Sequence, residues 1–230
     1  MMDTLPDKAD LIADEYREFI RIVSHDLDAP LRHVKEFTRM LIGSRPGEPS
    51  EDEREIIGFL ESALADLAAM QQALLAYSRV NSRREPLSPT DCNSVVAQAL
   101  HVLADIVETR PTAIDRGDLP TIMADSPQLQ SLFLYLLENA LKFHAEGTGE
   151  RKISIAASDD GEMVRFDIGD NGIGVAPNLQ ENVFRLFYKM NGSDYPGIGA
   201  GLTIAQKIVE RHGGKMAIES TVGAGTTVSF

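Results

Sequence analysis

The sequence predicts an α+β chain in two parts: a long helical hairpin, then an α/β sandwich of one mixed sheet with helices on one face. Three observations carry this. Apolar residues step by alternating threes and fours through two stretches of the N-terminal part. A proline-bearing segment follows, and beyond it helical stretches mix with strand-like alternation.

The first stretch runs Ile20, Val23, Leu27, Pro30, Val34, Phe37, Leu41, and the second Ile56, Leu60, Ala63, Leu67, Met70, Leu74, Tyr77. Such spacing is a heptad seam, the mark of a bundle or coiled coil. The segment "GSRPGEPSE" at 43–51 breaks it, and Ser50 with Glu53 has capping-box spacing for the second helix. Two helices of about 30 residues would each reach roughly 45 Å. A hairpin that long cannot bury both seams alone, so a second copy completing a dimeric four-helix bundle is expected, the alternative being that the seams pack on the chain's own second half. Pro30 removes one backbone hydrogen bond and predicts a bend just beyond His25.

"SRREPLSPTD" at 82–91 carries two prolines and reads as a linker. The expected domains are therefore 1–82, a linker at 83–91, and 92–230. Helices are predicted at 93–108, at 126–144 with Ser126 as N-cap, and at 202–214, closed by glycine. "KISIAAS" and "MVRFDIGD" alternate like half-buried strands joined at "DDGE", and "KMAIESTVGAGTTVSF" reads as a final hairpin.

Composition narrows the function. The formal charge is −13, from 22 basic and 35 acidic residues. That balance argues against non-specific binding to nucleic acid or anionic membrane, both of which need a basic footprint. No apolar run reaches membrane-spanning length, and the acidic N-terminus lacks signal-peptide order. The single cysteine, Cys92, permits no intrachain disulfide, and the chain is expected to be cytoplasmic.

Two glycine clusters stand out. "DIGDNGIGV" places Asp170, Gly172 and Gly174 after a strand, and "GIGAGL" places Gly197, Gly199 and Gly201 at the opening of a helix. A glycine-rich turn feeding a helix N-terminus offers unpaired N–H groups and a positive dipole end to phosphate. Neither cluster is a Rossmann fingerprint or a Walker A loop. In "LLENALKFH", Asn139 and Lys142 are three apart and share a helix face. An amide oxygen suits a magnesium shell and a lysine suits phosphate, though either residue alone is an ordinary solvated helix residue.

Taken together, residues 10–230 resemble the catalytic core of a sensor histidine kinase of two-component signalling. "FIRIVSHDLDAPLRHV" is similar to that family's phosphoacceptor box and "LLENALKFH" to its asparagine box. "DIGDNGIGV" and "GIGAGL" are similar to its glycine boxes, with "VFRLFYKM" between them as the phenylalanine box. "VGAGTTVSF" matches the closing glycine segment, and "LLAYSRV" and "LPTIMADSPQLQ" are nearest the phytochrome-like subgroup.

The resemblance implies an ATP-binding domain of the Bergerat fold, ATP and Mg²⁺ as ligands, and a homodimer. It also implies an upstream sensory domain or partner, and a response-regulator receiver as acceptor. By the same resemblance His25 is the phosphoacceptor and Asp26 its orienting base. Asn139 holds Mg²⁺, Lys142 neutralises phosphate charge, and Lys189 stands where the family often has an arginine near the terminal phosphate. Asp170 accepts from the adenine amino group, and Gly172, Gly174, Gly197, Gly199, Gly201 and Leu202 shape the nucleotide site and its lid.

The chain departs from the family pattern at three places. Tyr135 stands where the asparagine box usually has its first asparagine, and Leu186 where the phenylalanine box has its first basic residue. Ala29 stands four after the histidine, where members that also dephosphorylate their partner carry Thr, Asn or Gln to orient a water. Weak phosphatase activity is the expectation. Among the other histidines, His33 is expected on the helix surface and His101 on an amphipathic helix. His144 ends the asparagine-box helix, and His212 lies in a last turn where a cation suits the dipole. Another ATPase of the same superfamily would lack the heptad hairpin with its His–Asp pair, and a decayed scaffold dimer would have lost Asp170 or the glycines.

Overall fold

The computed structural model describes residue 27 and residues 30–43, 47–82, 86–144, 149–159, 161, 163–190 and 195–230. The chain divides into two compact units, Met1–Ser82 and Arg83–Phe230. In the first unit, helix α1 covers residues 30–43 and helix α2 covers Glu51–Ser82. The capping box forms as its spacing predicts: the Ser50 N–H donates to Glu53 Oε2 at 2.9 Å, and the Glu53 N–H donates to Ser50 Oγ at 3.3 Å. Seam residues Leu27, Val34, Phe37, Leu41, Ile56, Leu60 and Leu67 are exposed. His25, Asp26, Ala29 and the expected bend lie outside the described residues.

The second unit opens with β1 (Ser88–Asp91), α3 (Cys92–Val102), α4 (Ala104–Thr109), β2 (Thr112–Arg116) and β3 (Thr121–Ala124). It continues with α5 (Ser126–Lys142), β4 (Arg151–Asp159), β5 (Val164–Asp170), α6 (Gly201–Arg211), β6 (Ala217–Thr221) and β7 (Gly225–Ser229). A five-stranded sheet runs β2-β4-β5-β7-β6, with only the β2–β4 pair parallel, and β1 and β3 form a separate antiparallel ribbon. Helix α5 packs on β4 and β5 and is flanked by α3 and α6. Alternation along the strands aims Ile153, Ile155, Phe166 and Ile168 at the buried α5 residues Leu132, Phe133, Leu136 and Leu137. Phe133 meets Phe166 edge-on at 5.6 Å between ring centroids, and Phe166 stacks on Phe230 at 5.1 Å. Cys92 lies fully buried in α3, and burial pushes its thiol up to about 11.

Four details differ from the sequence expectation. Ser88–Asp91, read as linker, is a strand: Pro89 pairs with Met123 in a two-stranded ribbon, where the lost N–H costs no central ladder bond. The helix expected over 93–108 breaks at Leu103, whose backbone leaves helical geometry as its side chain enters the core. The cap of α5 is Asp125 rather than Ser126; its Oδ1 accepts the Gln128 N–H at 3.2 Å. His212 does not sit as a cation on the α6 dipole. Its Nε2 accepts the Asp125 N–H at 3.1 Å, so the proton is on Nδ1, which donates to Ile208 O at 2.8 Å.

Candidate functional site

Asp170 ends β5, between Ile153 on β4 and Thr226 on β7. Burial raises its carboxyl from the usual range to about 6, and N–H groups of Gly172 and Thr226 partly offset this. The chain turns at once: the Gly172 N–H donates to Asp170 Oδ1 at 2.8 Å. A side chain at Gly172 would run into the carbonyl of Phe143, and the Ile173 N–H donates to that carbonyl at 2.9 Å. The first glycine cluster is therefore stitched to the C-terminal end of α5. Asn171 fixes the turn from the other side. Its Oδ1 accepts the Lys152 N–H and its amide donates to Glu150 O, both at 2.8 Å, which continues the β4–β5 ladder past its last residue. Gly174 has φ +69° and faces the Thr221 carbonyl, tying the loop to the β6–β7 turn instead of to α5.

The last turns of α5 bring the remaining groups in. Asn139 and Lys142 lie on one face, and the Phe143 N–H closes the helix on Asn139 O at 3.1 Å. Lys142 Nζ sits 4.7 Å from the centroid of the Phe143 ring, which in turn packs on Tyr195 at 5.1 Å. Burial lowers the Lys142 ammonium's pKa, Glu138 opposes this, and the charge of Lys189 adds to the lowering. Two cations within each other's field, one of them half-buried, make a place suited to an anion.

The second glycine cluster covers this face. At Gly197, φ is +105° and an added Cβ would stand 2.8 Å from Lys142 Nζ. Gly199, at φ +73°, fits only because a side chain there would strike the Tyr188 carbonyl; its own carbonyl accepts the Phe187 N–H at 2.8 Å. Gly201 begins α6 directly over Tyr135 and Asn139, at 3.5 and 3.7 Å from its missing Cβ. Among the described residues no side chain caps α6 at Ala200, which leaves the positive end of its dipole without a side-chain partner, with Leu202 in the first turn. Thr203 Oγ1 donates to Phe184 O at 2.8 Å and holds the segment 184–188 against this helix.

The sequence-selected residues Asn139, Lys142, Gly172, Gly197 and Gly201 thus converge around the end of α5, with Asp170 one turn away and Lys189 close enough to act electrostatically. His25 and Asp26 lie outside the described residues. Asn171, Phe143 and Tyr195 were not singled out by sequence. Asn171 had the available signal of a short amide side chain between an aspartate and a glycine.

Residues 124–230 match the family described as histidine kinase-, DNA gyrase B-, and HSP90-like ATPases. Phytochrome-like protein Cph1 of Synechocystis sp. is 33% identical over 217 residues, covering 94% of this chain and 29% of Cph1. The chain matches the catalytic core of sensor histidine kinases. The solved structure of full-length ShkA with AMPPNP shares 25% identity with this kinase core at a TM-score of 0.67, over 93% of this chain and 45% of that one. The ThkA structure in complex with the response regulator protein TrrA shares its fold: TM-score 0.63, 20% identity, 99% of this chain and 67% of that one. The kinase core spans less than a third of the length of the phytochrome relatives it matches.

Proposed function

We propose that the second unit binds ATP and that the chain is an autophosphorylating protein histidine kinase. The observation that supports this is the meeting of a buried carboxylate, two glycine clusters and an amide–lysine pair around the end of one helix. ATP fits the residues present. Asp170, ionised at neutral pH, is an acceptor for an exocyclic amino group. Gly172 and Gly199 leave backbone where any side chain would collide. The uncapped start of α6 with Lys142 and Lys189 suits a polyphosphate. Mg²⁺ fits too, with the Asn139 amide oxygen as its protein ligand and phosphate and water oxygens completing the shell. Bound there, the ion would neutralise charge building on the phosphates.

In this reading His25 attacks the γ-phosphorus through Nε2. The bond to the β–γ bridging oxygen breaks, ADP leaves, and Asp26 takes the proton from Nδ1 so that the ring ends neutral. Asn139 and Lys142 orient the phosphates; Asp170 selects adenine. The phosphate then passes to an aspartate of a response-regulator receiver, and the exposed seam of the first unit supports a homodimer as the transferring species. Ala29 offers no group to orient a water, and hydrolysis of the receiver's aspartyl phosphate is correspondingly weak. A receiver that loses phosphate rapidly only when this protein is added would contradict that last point.

The test is incubation with radiolabelled ATP and Mg²⁺, then acid and base challenge of the label. A base-stable, acid-labile phosphate absent from His25→Ala is the expected result. Label retained in that variant overturns the assignment.

A further inference from the structure

The two helices that bring Asn139 and Gly201 together are joined at their opposite ends by a cluster to which the catalytic reading gives no role. Helices α5 and α6 run antiparallel along each other. Gly201 of α6 lies over Tyr135 and Asn139, while the far end of α6 reaches the start of α5. There Asp125, 1% exposed, caps α5 through Oδ1 and gives its own N–H to His212 Nε2 at 3.1 Å. Arg211 Nη2 approaches Asp125 Oδ2 at 3.6 Å, and Arg211 Nε donates to Gln128 Oε1 at 3.1 Å. His212 Nδ1 closes α6 on Ile208 O. The N-terminal cap of one helix and the C-terminal cap of the other are thus one hydrogen-bonded unit.

Such a unit fixes more than stability. A slip of α6 by one residue along α5 moves its start by about 1.5 Å. Polar contacts to a ligand are lost over much smaller displacements, since N–H···O bonds occupy a window of roughly 0.5 Å. The apolar seam of Ile204, Ala205, Ile208 and Val209 is compatible with more than one register, because burial is non-directional. Directional bonds at the far end remove that freedom.

We propose that Asp125, Gln128, Arg211 and His212 form a register clamp, whose positioning residues set where the start of α6 stands over Asn139. In this way they determine affinity for the phosphates specifically. The inference rests on the nucleotide reading above. Asp170, the proposed adenine subsite, lies on β5, which is not one of the two helices the clamp joins.

The experiment measures dissociation constants of the full chain for adenosine and for a non-hydrolysable ATP analogue with Mg²⁺. It is done for the wild type, Arg211→Met, His212→Phe and the milder Gln128→Ala. Lys207→Met, which removes only an exposed i,i+3 ion pair on the same helix, is the control. Expected is a loss of roughly tenfold in analogue affinity for Arg211→Met and His212→Phe, with adenosine affinity and the control unchanged. A merely destabilised domain would lose both ligands in proportion to its folded fraction, and that outcome, or an unchanged ratio, overturns the clamp. Should His212→Phe fail to fold, Arg211→Met and Gln128→Ala decide. A wild type that binds neither ligand defeats the nucleotide reading instead.

Discussion

At the scale of single residues, Asp170 combines a proposed role in nucleotide binding with a folding cost. Its carboxyl titrates at about 6 in the folded chain, against an ordinary value of 3.8. Folding therefore favours the protonated form. Stability relative to a neutral isostere is unaffected below about pH 4, falls as pH rises toward 6, and stays lowered above it. Asp170→Asn keeps an acceptor for the Gly172 N–H and is expected to gain about 1–3 kcal/mol at pH 8 but nothing near pH 4. Denaturant melts at the two pH values check this. The same variant should lose binding of the ATP analogue, and wild-type affinity should weaken as pH drops through 6, both read by titration calorimetry.

The glycines separate at this scale as well. Gly172→Ala and Gly199→Ala drive a Cβ into backbone carbonyls and should each cost about 1–3 kcal/mol. Gly201→Ala meets only ordinary contacts in a helix, and should leave the melting temperature unchanged or raise it. In sequence the three look alike. What distinguishes them is which atoms stand opposite, a backbone carbonyl at Gly172 and Gly199 and side chains at ordinary distance at Gly201, and that is a tertiary fact.

At the scale of elements, legibility followed local signals. The α2 cap was readable because both partners of the capping box lie within four residues, and Ser50→Ala should cost about 1 kcal/mol by thermal melting. The β4–β5 and β6–β7 hairpins were readable from alternation and turn glycines. Strands β1, β2 and β3 were not, since each is four or five residues long, with only one or two positions that are not exposed to mark a period. The α5 cap was misassigned because Asp125 and Ser126 are both good capping residues side by side. The contact that selects Asp125, from its own N–H to His212, comes from 87 residues away. That distance also hid the chemical state of His212.

At the scale of the whole molecule, the proposed site draws on an asparagine-bearing helix and two glycine clusters separated by long stretches of chain. Their joint occurrence and order were legible, whereas the stitching was not: the Phe143 carbonyl that receives Ile173, and the Asn171 amide that extends the sheet, are backbone partnerships without a motif. The exposed apolar seam of the first unit belongs to this scale too. Leu60→Lys with Leu67→Glu should convert the proposed dimer to a monomer by analytical ultracentrifugation, with ATP-analogue affinity retained. A dimer surviving those charges, or a monomeric wild type, would count against the bundle.

Cys92 carries one more consequence. It is the only thiol in the chain, sits at zero exposure, and is held neutral by its surroundings. A thiol-specific reagent can therefore reach it only when the second unit opens, which makes the protein its own stopwatch for that opening. Its modification rate, followed with and without adenine nucleotide, reads ligand binding as a slowing of the clock, with no partner or phosphoryl transfer needed.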